Sequence, residues 1–259
     1  MMMLILVGLG VGVISALLGI GGGVLLVPFL PGLTGWNSHQ VVAVTLIIIL
    51  FNSFINTWWY SKRGMVNWDV LAFWGPFAGV GAFAGSYLAL KVEGVNIRIT
   101  LLVVLAIMIL KFTSDFFKDP RDKKLFTSSN WSPLKGVFGG AVGLLSGFCG
   151  IGTGLVSTIL FLSRRWVLKD EVAPTGNGVM FFVSAASVLS FMLFGSVQSI
   201  DLNFLMGAKF EIMLLAASVF ISSFYLRPFN PMISDNLRFI CLLITLLSAF
   251  GYVSTELYF

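Results

Sequence analysis

Two glycine clusters are the residues in this chain best placed to do chemistry: Gly19-Ile20-Gly21-Gly22-Gly23 and Gly150-Ile151-Gly152-Thr153-Gly154. A glycine inside a helix costs up to ~1 kcal/mol against alanine, so clusters this dense break a helix. Both lie in apolar runs, where unwound backbone survives only if it is buried in protein or lines a wet cavity. A helix restarting after such a break presents free N–H groups and a positive dipole end equivalent to roughly half a charge, which suits an anion. The expected substrate-binding residues are therefore Gly19, Gly21, Gly22 and Gly23, with Gly150, Gly152, Thr153 and Gly154 in the second cluster. Close helix packing is the competing account of glycine. It fits the small-xxx-small pairs Gly8/Gly12, Gly75/Gly79, Gly81/Gly85, Gly136/Gly140 and Gly139/Gly143.

Polar side chains supply the next layer. Thr45, Asn52 and Asn56 are spaced seven and four apart and share one face of a helix. Asn177, Ser184 and Ser187 repeat the pattern at seven and three, with Thr175 as the counterpart of Thr45. Hydroxyl and amide groups suit a tetrahedral or pyramidal oxyanion. Interhelical hydrogen bonds, worth ~0.6 kcal/mol each, account for the same residues equally well. Arg98 and Arg238 begin equivalent segments and either snorkel to the interface or gate an anion at each mouth. Lys209, Glu211 and the single histidine, His39, are expected at the membrane interface, and Cys149 and Cys241 as buried free thiols. The sequence has no His-Glu-x-x-His, no Gly-x-Ser-x-Gly and no Gly-x-x-x-x-Gly-Lys-Ser/Thr. No enzyme, nucleotide-driven pump, metal or cofactor is expected.

The elements that must hold these residues are membrane segments. The chain of 259 residues is 58% hydrophobic and 10% charged, with mean hydropathy +0.97, whereas a soluble domain is about a quarter charged. Apolar runs fall at about 3–31 (broken), 39–60, 68–90, 96–117, 133–163 (broken), 171–194, 205–226 and 236–255, which leaves no room for a soluble domain. No cleavable leader is expected, because the first run has no basic start. The net charge of +5 does not indicate nucleic acid, since the basic residues sit in short loops.

The glycine clusters belong to a duplication. Residues 12–23 and 143–154 agree at six of twelve positions at an offset of 131, and Asn96-Ile97-Arg98 matches Asn236-Leu237-Arg238. This predicts two membrane repeats, 1–117 and 133–259, joined by a polar cytoplasmic linker, 118–132. Charge decides how they lie. If every run crosses once, Lys and Arg, leaving out Lys111 and Lys209 within the runs, divide seven and seven between the two sides. If each glycine-broken run is a re-entrant hairpin, twelve fall on one side and only Lys91 and Arg98 on the other. Cytoplasmic loops are the Lys/Arg-rich ones. The predicted fold is thus an all-α polytopic membrane protein with two inverted repeats, each a glycine-broken helical hairpin plus three transmembrane helices.

At these residues the chain resembles the TauE/SafE family, the sulfite exporter and 4-toluenesulfonate uptake permease group. The resemblance rests on Gly19–Gly23 followed by Leu26-Val27-Pro28, on Ala43-x-Thr45, and on the second copy at Gly150–Gly154, where Thr153 replaces the middle glycine. It implies a secondary transporter of small sulfur-containing oxyanions, sulfite, sulfoacetate or other organosulfonates. The anion would be held at the helix breaks in alternating access. A prokaryotic plasma membrane is the expected location, with the bilayer and a small anion as partners, and the glycine faces permit a homodimer. A passive anion channel and a non-transporting membrane subunit remain the alternatives.

Overall fold

The computed structural model describes residues 1–18, 21–116, 133–164, 166–198, 200, 202–226 and 235–258. The expected linker, 118–132, and Gly19 of the first cluster lie outside the described residues. Every regular element among those described is helical: α1 (Met2–Leu18), α2 (Gly23–Thr34), α3 (Ser38–Ser61), α4 (Trp68–Ala89), α5 (Gly94–Phe116), α6 (Pro133–Cys149), α7 (Gly154–Arg164), α8 (Val172–Phe194), α9 (Leu202–Gly207), α10 (Lys209–Leu226) and α11 (Asp235–Tyr258). Five of them (α3, α4, α5, α8 and α10) are long and apolar enough to cross a membrane.

Local signals set the helix limits. Asn37 and Gln40 form a reciprocal capping box at the start of α3, and the Asn67 side chain accepts the Val70 N–H at the start of α4. Pro28 and Pro31, residues that ordinarily interrupt a helix, lie inside α2. That helix ends only at Gly35, whose N–H bonds the Pro31 carbonyl. Val24–Pro28 and Leu30 are all buried, so packing outweighs the backbone hydrogen bonds that the prolines remove.

Contacts between helices fix the path of the chain. The His39 Nε2 lies 2.9 Å from the Val92 carbonyl, and the Gln198 side chain donates to the Leu90 carbonyl. The start of α3, the end of α4 and the end of α8 therefore share one end of the molecule. At the other end, the Asn67 side chain donates to Glu171 and the Asn67 N–H to the Thr175 hydroxyl. Helix α6 runs parallel to α4, with Gly140 on Gly81, Leu144 on Gly85 and Gly147 accepting from Ser86. After the break, α7 turns back: Phe161 and Trp166 stack around Trp74 at 5.2 and 5.4 Å, beside the Asn67 end. Likewise α1 runs parallel to α10, with Gly8 on Ser218 and Gly12 accepting from Ser223. Helix α2 then returns to Trp36, which meets Phe204 edge-on at 5.7 Å. The two glycine-broken units are hairpins that open toward opposite ends.

The outer faces suit lipid. Val95, Ile99, Val103, Ile107 and Leu110 form an exposed stripe along α5, and Leu237, Ile240, Ile244 and Leu247 one along α11. Cys241, expected to be buried, is exposed on α11, whereas Cys149 is buried as expected. A hydrophobic thiol is at ease in either place, so hydropathy alone does not separate a core position from a lipid-facing one. At the Asn67 end Lys62 lies 4.0 Å over Trp58 and Arg63 lies 3.4 Å over Trp59, the basic-aromatic combination of a membrane interface.

Candidate substrate site at the paired helix breaks

The two breaks meet between α3 and α8. Gly21 and Gly152, matched in the duplication, have φ of +70° and +71°. A side chain in that left-handed region costs about 1–2 kcal/mol, so glycine is required at both. A Cβ on Gly21 would strike the Met180 sulfur. One on Gly152 would lie 3.2 Å from Ile49 Cδ1 and 3.6 Å from the same sulfur. Gly23 backs onto the main chain of Ile151. The N-termini of α2 and α7 therefore both begin in the interior, around Ile49 and Met180.

The two breaks differ in their polar surroundings. Val42 packs on Gly150 and Ile49 on Gly152. Thr45 lies on the same face of α3, between them at helical spacing, and so faces the second break. Its side chain is fully buried and its hydroxyl has no hydrogen-bond partner. Thr153, just before α7, is also fully buried with an unpartnered hydroxyl, although a threonine there ordinarily bonds the first turn. Ser146, in the last turn of α6, makes a third orphan hydroxyl. At the first break the matching serine, Ser15, accepts from the Asn52 amide at 3.4 Å, and Gly22 carries no side chain. The orphan hydroxyls of Thr45, Ser146 and Thr153 thus border the second break, while Thr158 on α7 and Ser187 and Ser190 on α8 are further buried hydroxyls without a partner. Each would cost ~1–3 kcal/mol if left permanently dry, so a ligand or water is required.

Other expected residues fall elsewhere. Asn56 donates to Asn177 at 3.0 Å, and Asn177 donates to the Ala173 carbonyl at 2.8 Å, which ties α3 to α8. Thr175 accepts from the Asn67 N–H at 3.1 Å and clamps the α3–α4 turn, away from the breaks. Ser184 bonds back to the Met180 carbonyl. Arg98 is half-buried and donates to Ser38 at 3.1 Å. It lines a small pocket with Pro28, Pro31, Val42 and Val253 at the His39 end. The side chain of Arg238 lies outside those described. Ile49 and Met180, which separate the breaks, give no sequence signal, because an apolar residue in an apolar helix looks like its neighbours.

A family profile described as "Sulfite exporter TauE/SafE" matches residues 4–252, nearly the whole chain. The chain belongs to the TauE/SafE family. A probable membrane transporter protein of Haemophilus influenzae is 24% identical over 233 residues, covering 88% of this chain and 84% of that protein. A probable membrane transporter protein of Methanocaldococcus jannaschii is 26% identical over 200 residues, covering 73% and 72%. No solved structure matches it. As a TauE/SafE member with five candidate spans, the chain is an integral, multi-pass membrane protein of a transporter family, not an enzyme.

Proposed function

We propose that this TauE/SafE protein is a secondary carrier of a small sulfur-containing oxyanion, sulfite or an organosulfonate such as sulfoacetate. The observation that carries this reading is the meeting of two helix N-termini beside the orphan hydroxyls of Thr45 and Thr153. Helix N-termini favour negative charge without a lysine or arginine buried in the bilayer. Hydroxyls that lack partners in the protein are free to donate to oxyanion oxygens.

The halves act as inverted repeats in this reading, supported by hairpins that open toward opposite ends. The Asn67 end, with Lys62 and Arg63, is cytoplasmic by the positive-inside rule. It is closed by the Trp74–Phe161–Trp166 cluster and the Asn67 hydrogen bonds, while Arg98 borders a small pocket at the other end. Arg98 would draw an anion to that mouth. Rocking of one half against the other would then move the Ile49–Met180 constriction and expose the second break to each side in turn. Expelling one negative charge from an interior held 100 mV negative gains ~2.3 kcal/mol, enough to drive export without a coupled pump.

The test is flux of labelled sulfite in proteoliposomes under an imposed potential, with sulfoacetate and chloride as competitors. Saturable flux blocked by sulfoacetate is expected, and Gly152→Leu should abolish it while the protein still inserts. Flux that never saturates indicates a channel. Retained flux in Gly152→Leu removes the breaks from the site.

A further inference from the structure

We infer that the cytoplasmic leg of the anion's path runs along the seam between α7 and α8, past the Thr158 hydroxyl and the bare main chain of Gly176. This deepens the carrier reading and rests on it for the identity of the anion. Thr158 is 7% exposed, and its hydroxyl has no partner. Other helical hydroxyls in this protein, those of Thr57, Ser184, Ser222 and Thr245, bond back to the carbonyl four residues earlier. For Thr158 that acceptor is the Gly154 carbonyl, which Ser157 takes at 3.1 Å. The Thr158 oxygen is left facing α8, 3.9 Å from where a Cβ on Gly176 would stand.

Gly176 is the second, independent observation. Glycine weakens a helix interior relative to alanine, so its place inside α8 calls for a reason. Close packing of helices supplies one for Gly85 and Gly143, where a Cβ would strike the main chain of Leu144 and Ala78. It does not for Gly176. Among the described residues, the atoms of another helix within 4 Å of its Cβ position are two hydroxyl oxygens, that of Ser157 at 3.1 Å and that of Thr158. The seam is bare main chain on one side and hydroxyls on the other, and an oxyanion finds donors there.

The seam joins the second break to the cytoplasmic end. Thr153 stands just before α7, and Thr158 follows in that helix. Phe161 is three residues further along, on the same side of α7, and meets Trp74 at 5.2 Å and Trp166 at 6.3 Å. Thr158 therefore sits between the break and the aromatic cluster that shuts the cytoplasmic end. On α8, Gly176 lies one turn before Met180 and directly after Thr175, which holds the Asn67 N–H. Ser187 and Ser190 lie beyond Met180 toward the opposite end of α8. Among the described residues Thr158 is thus the buried hydroxyl without a partner that lies on the cytoplasmic side of the break. An anion leaving Thr153 meets it before reaching water, and a donor at that step lowers the cost of a partly dehydrated charge.

The test is thiol labelling in a Cys149→Ser, Cys241→Ser background with 2-sulfonatoethyl methanethiosulfonate, a membrane-impermeant sulfonate that attacks thiolates in water. In Thr158→Cys it should react about tenfold faster in inside-out vesicles than in right-side-out ones. Its cationic trimethylammonioethyl counterpart should react more slowly, each rate being taken relative to a free thiol. Ser222→Cys, buried between α1 and α10, should stay unreactive from both sides. If Thr158→Cys does not insert, Gly176→Cys places the thiol on the opposite wall and should give the same result. No reaction from the cytoplasmic side at either position overturns the path. So does reaction as fast from outside, or as fast with the cation. Cytoplasmic reaction without any sulfite flux counts against the substrate and leaves the path standing. Sulfite flux with both thiols unreactive overturns the path and leaves the carrier reading standing.

Discussion

At the scale of single residues, the orphan hydroxyls separate a binding role from a structural one. Thr45 is fully buried, and its oxygen has no partner to lose. Thr45→Val keeps the shape and removes an unsatisfied polar group, so it should leave Tm unchanged or raise it. The same change removes a donor to a charged ligand, worth about 1.5–3 kcal/mol, so KM for the anion should rise roughly tenfold to a hundredfold. A fall in Tm with KM unchanged would mean that the hydroxyl serves the fold. Thr153 is legible in the sequence as the one departure from glycine in the second copy. The different status of Thr175, which is matched to Thr45 but already holds the Asn67 N–H, is visible only in three dimensions. Periodicity places both on helices, and the neighbouring turn decides which hydroxyl is free.

At the scale of elements, glycine serves two purposes that the sequence shows with one letter. In the α4–α6 pair, a Cβ on Gly85 would strike the Leu144 carbonyl, and one on Gly143 the Ala78 carbonyl. These helices touch backbone to backbone, as small-residue faces allow. Gly85→Leu must separate them and should lower stability by at least ~2 kcal/mol. Gly10, which meets nothing within 4 Å, should tolerate leucine with no measurable change. Thermal unfolding of both variants in detergent checks the pair, and equal losses would contradict the packing described. The packing pairs Gly81/Gly85 and Gly139/Gly143 were readable from their spacing. The continuation of α2 through Pro28 and Pro31 was not, because local propensity opposes it and burial of Val24–Pro28 and Leu30 decides it.

At the scale of the whole molecule, hairpins that open toward opposite ends give a labelling prediction. In a background of Cys149→Ser and Cys241→Ser, cysteines at positions 36 and 91 should react with an impermeant thiol reagent from the outside of the cell. Those at 62 and 168 should react only from the cytoplasm. Reaction of 36 and 62 from the same side would break the topology. The sequence by itself determined the membrane class, the segment limits to within a few residues, the duplication and the places where helices break. Each of these follows from composition, hydropathy and glycine content, which act locally along the chain. Only the tertiary structure decided that the two breaks meet beside Ile49 and Met180, and that the free hydroxyls of Thr45, Ser146 and Thr153 border the second. Those facts depend on which atoms of distant segments meet. Two copies of one motif become unequal when Ser15 finds Asn52 and Ser146 finds no partner.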